Sequence, residues 1–391
     1  MITVEEALAR CLALATPLGT ETIALRHANG RVMTTAATAQ LTQPPFPASA
    51  MDGYALGRAG AVGDRFTVIG EAGAGHGFTG TLQPHQATRI FTGAPVPAGG
   101  VTVAIQEDIS VRGDQITLTA AALADANIRP MGQDFAKGQP LAPRLLRPND
   151  LALLAAMNVP QVTVRRRPVV ALIATGDELV MPGEVPGPDQ IIASNAFALA
   201  AMIESVGGEA RMLPIARDNE ASLRTVFGLT EGADLIVTIG GASVGDHDLV
   251  GKVATDLGLE RAFWKIAMRP GKPLMAGKVL GIPMLGLPGN PVSAIVCGHL
   301  FLVPMLKAML GLPSLPQILT ARLGSDQPAN GPRSHYMRAR LSVVDGAQTI
   351  TPFERQDSAL LSILTEADAL LIRPMNDPAR RTGEMLNYIS I

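Results

Sequence analysis

After Pro168 the chain alternates two kinds of apolar segment: strand-like runs at 169–175, 234–239 and 284–287, and helix-like runs at 195–206 and 292–310. Short runs rich in Val, Ile and Leu read as strands buried on both faces, and the longer periodic segments as helices covering them. This pattern has few solutions, and it predicts a parallel sheet with helices on both faces. Residues 39–137 are different, with short β-like runs at 66–69, 87–92 and 115–119 punctuated by Gly and Pro, as in a small β-rich module. Its flanks, which are less tightly patterned, can pair with each other as a connecting domain. After Pro313 short alternating segments return at 336–343, 349–352 and 369–372, and a strand-like run follows Gly383.

The fold class expected is therefore multidomain, α/β plus β. Residues 1–20 and 168–312 form the α/β domain, 21–38 and 138–167 the connecting domain, 39–137 the inserted β-rich module, and 313–391 a C-terminal β domain. A chain of 391 residues is too long for one ordinary hydrophobic core.

Lys and Arg number 32 against 34 Asp and Glu, and aromatic residues are 4%, so the charge surplus and stacking platforms that nucleic-acid binding needs are missing. Nucleic acid is not expected as a partner. Cys11 and Cys297 make no C-x-x-C and read as small apolar helix residues, which suits a reducing, cytoplasmic compartment. Glu5 and Glu6 occupy positions where a signal peptide carries cations, and Thr3 with Glu6 makes a capping box. The most membrane-like stretch, 291–312, is interrupted by His299, Pro304 and Lys307, and is expected to be a buried core helix rather than a membrane span.

Three strands of the α/β region run into loops of small or polar residues: Thr175-Gly176-Asp177-Glu178, the segment from Gly240 to Asp248, and Pro288-Gly289-Asn290-Pro291. In a parallel sheet these loops emerge at one edge and line one cleft. Gly240, Gly241 and Gly245 let backbone N–H groups approach an anion, and Ser243 adds a hydroxyl, so a phosphate is the natural occupant. Asp246 and Asp248 beside them can hold a divalent cation, or be solvated carboxylates of an ordinary glycine turn. Lys265, Arg269 and Lys272 fall within eight positions containing no acid, which favours a multiply charged oxyanion. In the β-rich module, Asp52 and the Thr92 turn, like Arg129 and Asp134, admit simple turn chemistry. The G-x-G-x-x-G at Gly75 has no helix after it and is rejected as a dinucleotide site, and the six histidines have no metal-ligand spacing.

Read in order, P-A-S-A-M-D-G-Y-A from Pro47, T-G-A-P-V-P from Thr92, G-x-D from Gly132, T-G-D-E-L from Thr175, S-N-A from Ser194, G-G-A-S-V-G from Gly240, P-G-K-P from Pro270 and L-P-G-N-P-V-S from Leu287 resemble the MoeA/gephyrin E-domain family across essentially the whole chain. The resemblance implies a molybdopterin-binding-like α/β domain in an elongated homodimer, with the β-rich module of the partner protomer closing the cleft. It implies insertion of molybdate into adenylylated molybdopterin with release of AMP, assisted by Mg2+. Carried over by position, Asp52, Glu178, Asp218 and Asp248 are the catalytic acids, with Asp246 and Asp248 toward the metal. Thr92, Arg129, Asp134, Asp177, Ser194, Asn195, Gly240, Gly241, Ser243, Gly245, Lys265, Arg269, Lys272, Pro288, Pro291, Ser293, Arg338 and Ser358 bind substrate, the last two completing the molybdate pocket. The adenylyltransferase that supplies the pterin and downstream cofactor-handling proteins are implied partners.

Two positions depart from the family pattern: Arg269 replaces an expected lysine, and Asp357 stands where glycine is usual. The α/β loops alone also fit a molybdopterin adenylyltransferase, but that enzyme is a single domain. A gephyrin-type scaffold or pterin carrier is the other alternative, ranked low because such scaffolds are expected to carry an additional N-terminal domain and long linker.

Overall fold

The structure, a computed structural model, describes residues 1–241 and 249–391. The chain divides into two compact units, Met1–Glu21 with Arg165–Ile391, and Thr22–Val164.

In the first unit, a six-stranded sheet runs in the order Glu209–Met212, Val169–Ala174, Leu235–Ile239, Ile282–Leu287, Met275–Val279, Glu260–Trp264. The first four strands are parallel. The last two are antiparallel additions, a feature the sequence reading did not include. Leu280 and Gly281, at φ 54° and 77°, make the two-residue turn that folds Ile282–Leu287 back on Met275–Val279. Period-two alternation divides the strand residues between two cores. Val170, Leu172, Leu235, Val237 and Ile239 pack against helices Val4–Leu14, Asn195–Ser205 and Pro291–Cys297. Ile173, Ile236 and Met284 face Glu220–Gly228 and Leu249–Asp256 on the other side. The capping box of Thr3 and Glu6 forms as expected.

The apolar helical stretch Pro291–Met309 is long enough to cross a bilayer, but 72% of it is buried inside the protein. Pro304 lacks an N–H, and a π-helical segment, Gly298–Leu302, just precedes it.

The strands Ser334–Val344, Ala347–Pro352, Leu319–Leu323, Met385–Ser390 and Ala369–Arg373 pair in that order, and the last returns to the first, closing a barrel. Closure removes exposed sheet edges. Alternation again separates two surfaces, with Met337, Ala339, Leu371 and Tyr388 filling the interior while Tyr336, Leu370 and Ile389 join the α/β core.

The second unit holds another six-stranded sheet, ordered Thr102–Ile105, Gly53–Leu56, Gln86–Ile90, Arg65–Ala72, Gln115–Leu118, Ile109–Arg112. Two small clusters cover its faces. A separate cluster joins Ala28, Met33 and Ala39 to Phe135, Leu141, Leu154 and Val164, around helix Pro148–Ala156.

Candidate active-site cleft and oxyanion pocket

In the first unit, the loops after three parallel strands are stitched to one another. Thr175 N donates to Ile239 O (3.0 Å) and Gly240 N to Leu287 O (3.1 Å). Asn195 Nδ2, in the first turn of its helix, donates to Gly289 O at 2.7 Å. Gly240 and Gly241 have φ of 92° and 65°, and a Cβ on Gly241 would lie 2.1 Å from Val250 Cγ2. No larger residue fits there without moving the helix that follows.

These loops line a cleft of about 680 Å³. Its wall carries Glu178 and Asp218 with Gly240, Gly241, Ser194 and Asn195. Neither acid has a cation partner in the ion pairs among the described residues, so both remain available to a ligand. Arg217 shapes the loop that carries Glu178. Its Nη1 donates to the carbonyls of Gly176 (3.3 Å), Asp177 (3.2 Å) and Leu179 (3.0 Å), while Asp177 Oδ1 accepts from Asp218 N at 3.1 Å.

A second cavity of about 350 Å³ adjoins the cleft and shares Pro273 and Asn290 with it. Arg269, Lys272 and Arg333 line it beside Ser293, Gln356, Asp357 and Ser358. Among the described residues none of these three cations is ion-paired, whereas Arg373 nearby is tied to Asp377 at 2.5 Å. Three cations against one carboxylate leave a net charge near that needed to offset a dianion. The buried His335 reports this field: burial, then Arg269, Arg373, Arg338 and Arg333, hold its imidazole down at about 4. Cys297 Sγ lies beneath the loop, 2.5 Å from where a Cβ on Gly271 would fall.

Comparison with known proteins gives a consistent result. Residues 2–158 match the MoeA N-terminal region (domains I and II), 171–308 a probable molybdopterin binding domain, and 320–391 the MoeA C-terminal region (domain IV). The molybdopterin molybdenumtransferase of Nostoc sp. is 34% identical over 383 residues, covering 93% of this chain and 87% of that one. This chain belongs to the MoeA family. The molybdopterin molybdenumtransferase of Haemophilus influenzae is 35% identical over 318 residues, 80% of this chain and 78% of its own length. The crystal structure of a molybdopterin biosynthesis MoeA protein from Pyrococcus horikoshii superposes with a TM-score of 0.83 at 29% identity, covering 100% of this chain and 99% of that one.

In this MoeA-family chain, Glu178, Asp218, Ser194, Asn195, Gly240, Gly241, Pro288 and Pro291 come together in the cleft, and Arg269, Lys272, Ser293 and Ser358 in the smaller cavity. Ser243, Gly245, Asp246 and Asp248 lie outside the described residues. Lys265 lines neither cavity: at φ 66° its side chain turns onto Trp264, with Nζ 3.9 Å from the ring centroid. Arg338 also lines neither. It is 1% exposed and donates to Leu360 O (3.1 Å) and Arg355 O (3.3 Å), so it braces the loop that presents Asp357 and Ser358. Asp177 holds the Asp218 backbone rather than facing the cleft.

In the second unit, Asp52 Oδ1 accepts from both Thr92 N and Thr92 Oγ1 at 2.8 Å, and these bonds hold its carboxyl below the usual range. Arg129 and Asp134 line a separate cavity of about 520 Å³ with Phe46 and Gln133.

Sequence reasoning missed Arg217 and Arg333. A lone arginine outside a glycine motif looks like a solvated cation, and only Asp218 beside the one and the buried strand after the other hint at more.

Proposed function

We propose that this MoeA-family enzyme inserts molybdate into adenylylated molybdopterin, releasing AMP and completing the molybdenum cofactor. The observation that carries the reading is the adjacency of the two cavities, one lined by glycine loops and two acids, the other by three cations, none of the five ion-paired among the described residues. The larger suits a phosphate-bearing pterin nucleotide, and the smaller a tetrahedral dianion.

Arg269, Lys272 and Arg333 hold molybdate, with Ser293 and Ser358 as hydroxyl donors at the same oxygens. Gly240 and Gly241 let backbone N–H groups meet the substrate's phosphates. Glu178 and Asp218 orient the water that attacks the adenylyl phosphorus; the bridging P–O bond to the pterin's phosphate breaks, that phosphate is the leaving group, and the attacked phosphorus ends in AMP. The same two carboxylates fit magnesium, which binds through one or two carboxylates plus substrate phosphates, with Asp246 and Asp248 as further ligands. Among the described residues no group of three or more His, Cys, Asp or Glu forms a metal site without substrate. Magnesium, when bound, neutralises charge developing on the leaving phosphate.

Homodimerisation belongs to the same proposal, the β-rich module of a partner protomer bringing Asp52, Thr92, Arg129 and Asp134 to the cleft, with the enzyme acting in the cytoplasm beside the adenylyltransferase.

The test is AMP release from adenylylated molybdopterin by purified protein, with molybdate and magnesium omitted one at a time. Molybdate-dependent release, with molybdenum gained by the pterin, supports the transferase. Pterin binding without release favours a carrier, and adenylylation of molybdopterin from ATP favours the adenylyltransferase.

A further inference from the structure

Asn290 occupies the N-cap position of helix Pro291–Cys297, yet its side chain makes no cap hydrogen bond. A capping Asn ordinarily stabilises its helix by accepting a hydrogen bond from a backbone N–H of the first turn. Here the amide is spent elsewhere: Nδ2 donates to Ser358 Oγ at 3.0 Å, across 68 residues of sequence. The contact is anchored from behind by Val292 N, which donates to Ser358 O at 3.1 Å. A local rule set aside in favour of a long-range contact is a mark of function.

The position of the pair gives that function. Asn290 lines both the 680 Å³ cleft and the 350 Å³ cationic cavity, and Ser358 lines the latter next to Ala359, which lines the former. The Asn290–Ser358 hydrogen bond therefore stands on the boundary between them. An amide NH2 has two donors and a hydroxyl one. With one Nδ2 hydrogen given to Ser358, the pair still offers the second amide hydrogen and the Ser358 hydroxyl hydrogen.

We propose that Asn290 is a transfer-gating residue: with Ser358 it forms the threshold that the metal oxyanion crosses from the cationic cavity to the cleft, and it supplies hydrogen bonds during the crossing. This rests on the reading of the two cavities given above. An oxyanion leaving Arg269, Lys272 and Arg333 loses charge-assisted hydrogen bonds, and crossing without replacement donors carries a desolvation cost. Asn290 lowers that cost at the boundary, while the three cations set resting affinity.

The experiment separates binding from transfer in the full-length protein. Equilibrium dialysis with molybdate alone measures the first, and single-turnover gain of molybdenum by adenylylated molybdopterin measures the second. Asn290→Ala is expected to keep molybdate affinity within about twofold and to slow transfer by about tenfold or more. Lys272→Gln should do the reverse, weakening affinity first. Asn290→Ser, a good N-cap too short to reach Ser358, should repeat the alanine result and serves if the alanine variant folds poorly. Wild-type transfer in Asn290→Ser, or parallel loss of affinity and transfer, overturns the gate. If the wild-type protein itself transfers no molybdenum, the transferase reading fails instead.

Discussion

Nη1 of Arg217 lies 3.0 Å from the carbonyl oxygen of Leu179, and the same nitrogen donates to the carbonyls of Gly176 and Asp177. One cation thus brackets the loop that presents Glu178 to the cleft. Arg217→Ala should leave the protein folded, because the side chain is exposed, but lower kcat by about 10- to 100-fold through misplacement of the acid. Lysine, a point donor without the guanidinium fork, should recover only part of the loss. Steady-state kinetics decide it; unchanged kcat in the alanine variant removes Arg217 from the mechanism.

Stability should depend on pH through two imidazoles. Burial holds His299 at about 4, and burial with the arginines around it holds His335 at about 4, against an ordinary 6.5. Both are neutral in the folded protein, whereas the unfolded chain takes up protons below 6.5. Stability is therefore complete above about pH 6.5 and is lost as the pH falls toward 4, by at most about 1.4 kcal/mol per pH unit for each histidine. Urea unfolding at several pH values should show this slope. A His299→Gln, His335→Gln double variant should flatten it, and an equally steep slope there would assign the effect to other groups.

Gly271, at φ 106°, separates Pro270 from Lys272, and a Cβ there would fall 2.5 Å from Cys297 Sγ. Gly271→Ala should displace the loop and weaken molybdate binding by about tenfold, since charge-assisted hydrogen bonds depend on geometry. Adding Cys297→Ala removes the clash but not the backbone strain, so affinity should recover in part. Equilibrium dialysis of the single and double variants measures both effects, and an unaffected Gly271→Ala protein shows that the loop can shift freely.

The sheet was legible because its strands are buried on both faces, and such strands appear as uninterrupted apolar runs between glycine-marked loops. The loops were legible for a related reason: Gly240 and Gly241 adopt backbone conformations that larger residues avoid. The antiparallel extension escaped notice although Leu280-Gly281 marks its turn, because alternation with helices favours parallel order. Charge was read less well than shape. Lys265, Arg269 and Lys272 form one basic run, but a left-handed residue at Lys265 sends its side chain to Trp264, and Arg333, 61 positions beyond Lys272, takes its place in the cavity. Sequence spacing records proximity along the chain, whereas a pocket collects residues from several turns.

The strand Met268–Arg269 pairs in parallel with Ser334 and His335 of the barrel, so the basic loop after it hangs between two folds rather than from one. Excising residues 313–391 would strip Arg269 of its backbone partner and delete Arg333, Asp357 and Ser358 together. The parallel sheet is consequently not a portable cassette: a chimera that borrows it from this chain must import the barrel as well, or inherit the larger cleft without the cationic cavity beside it.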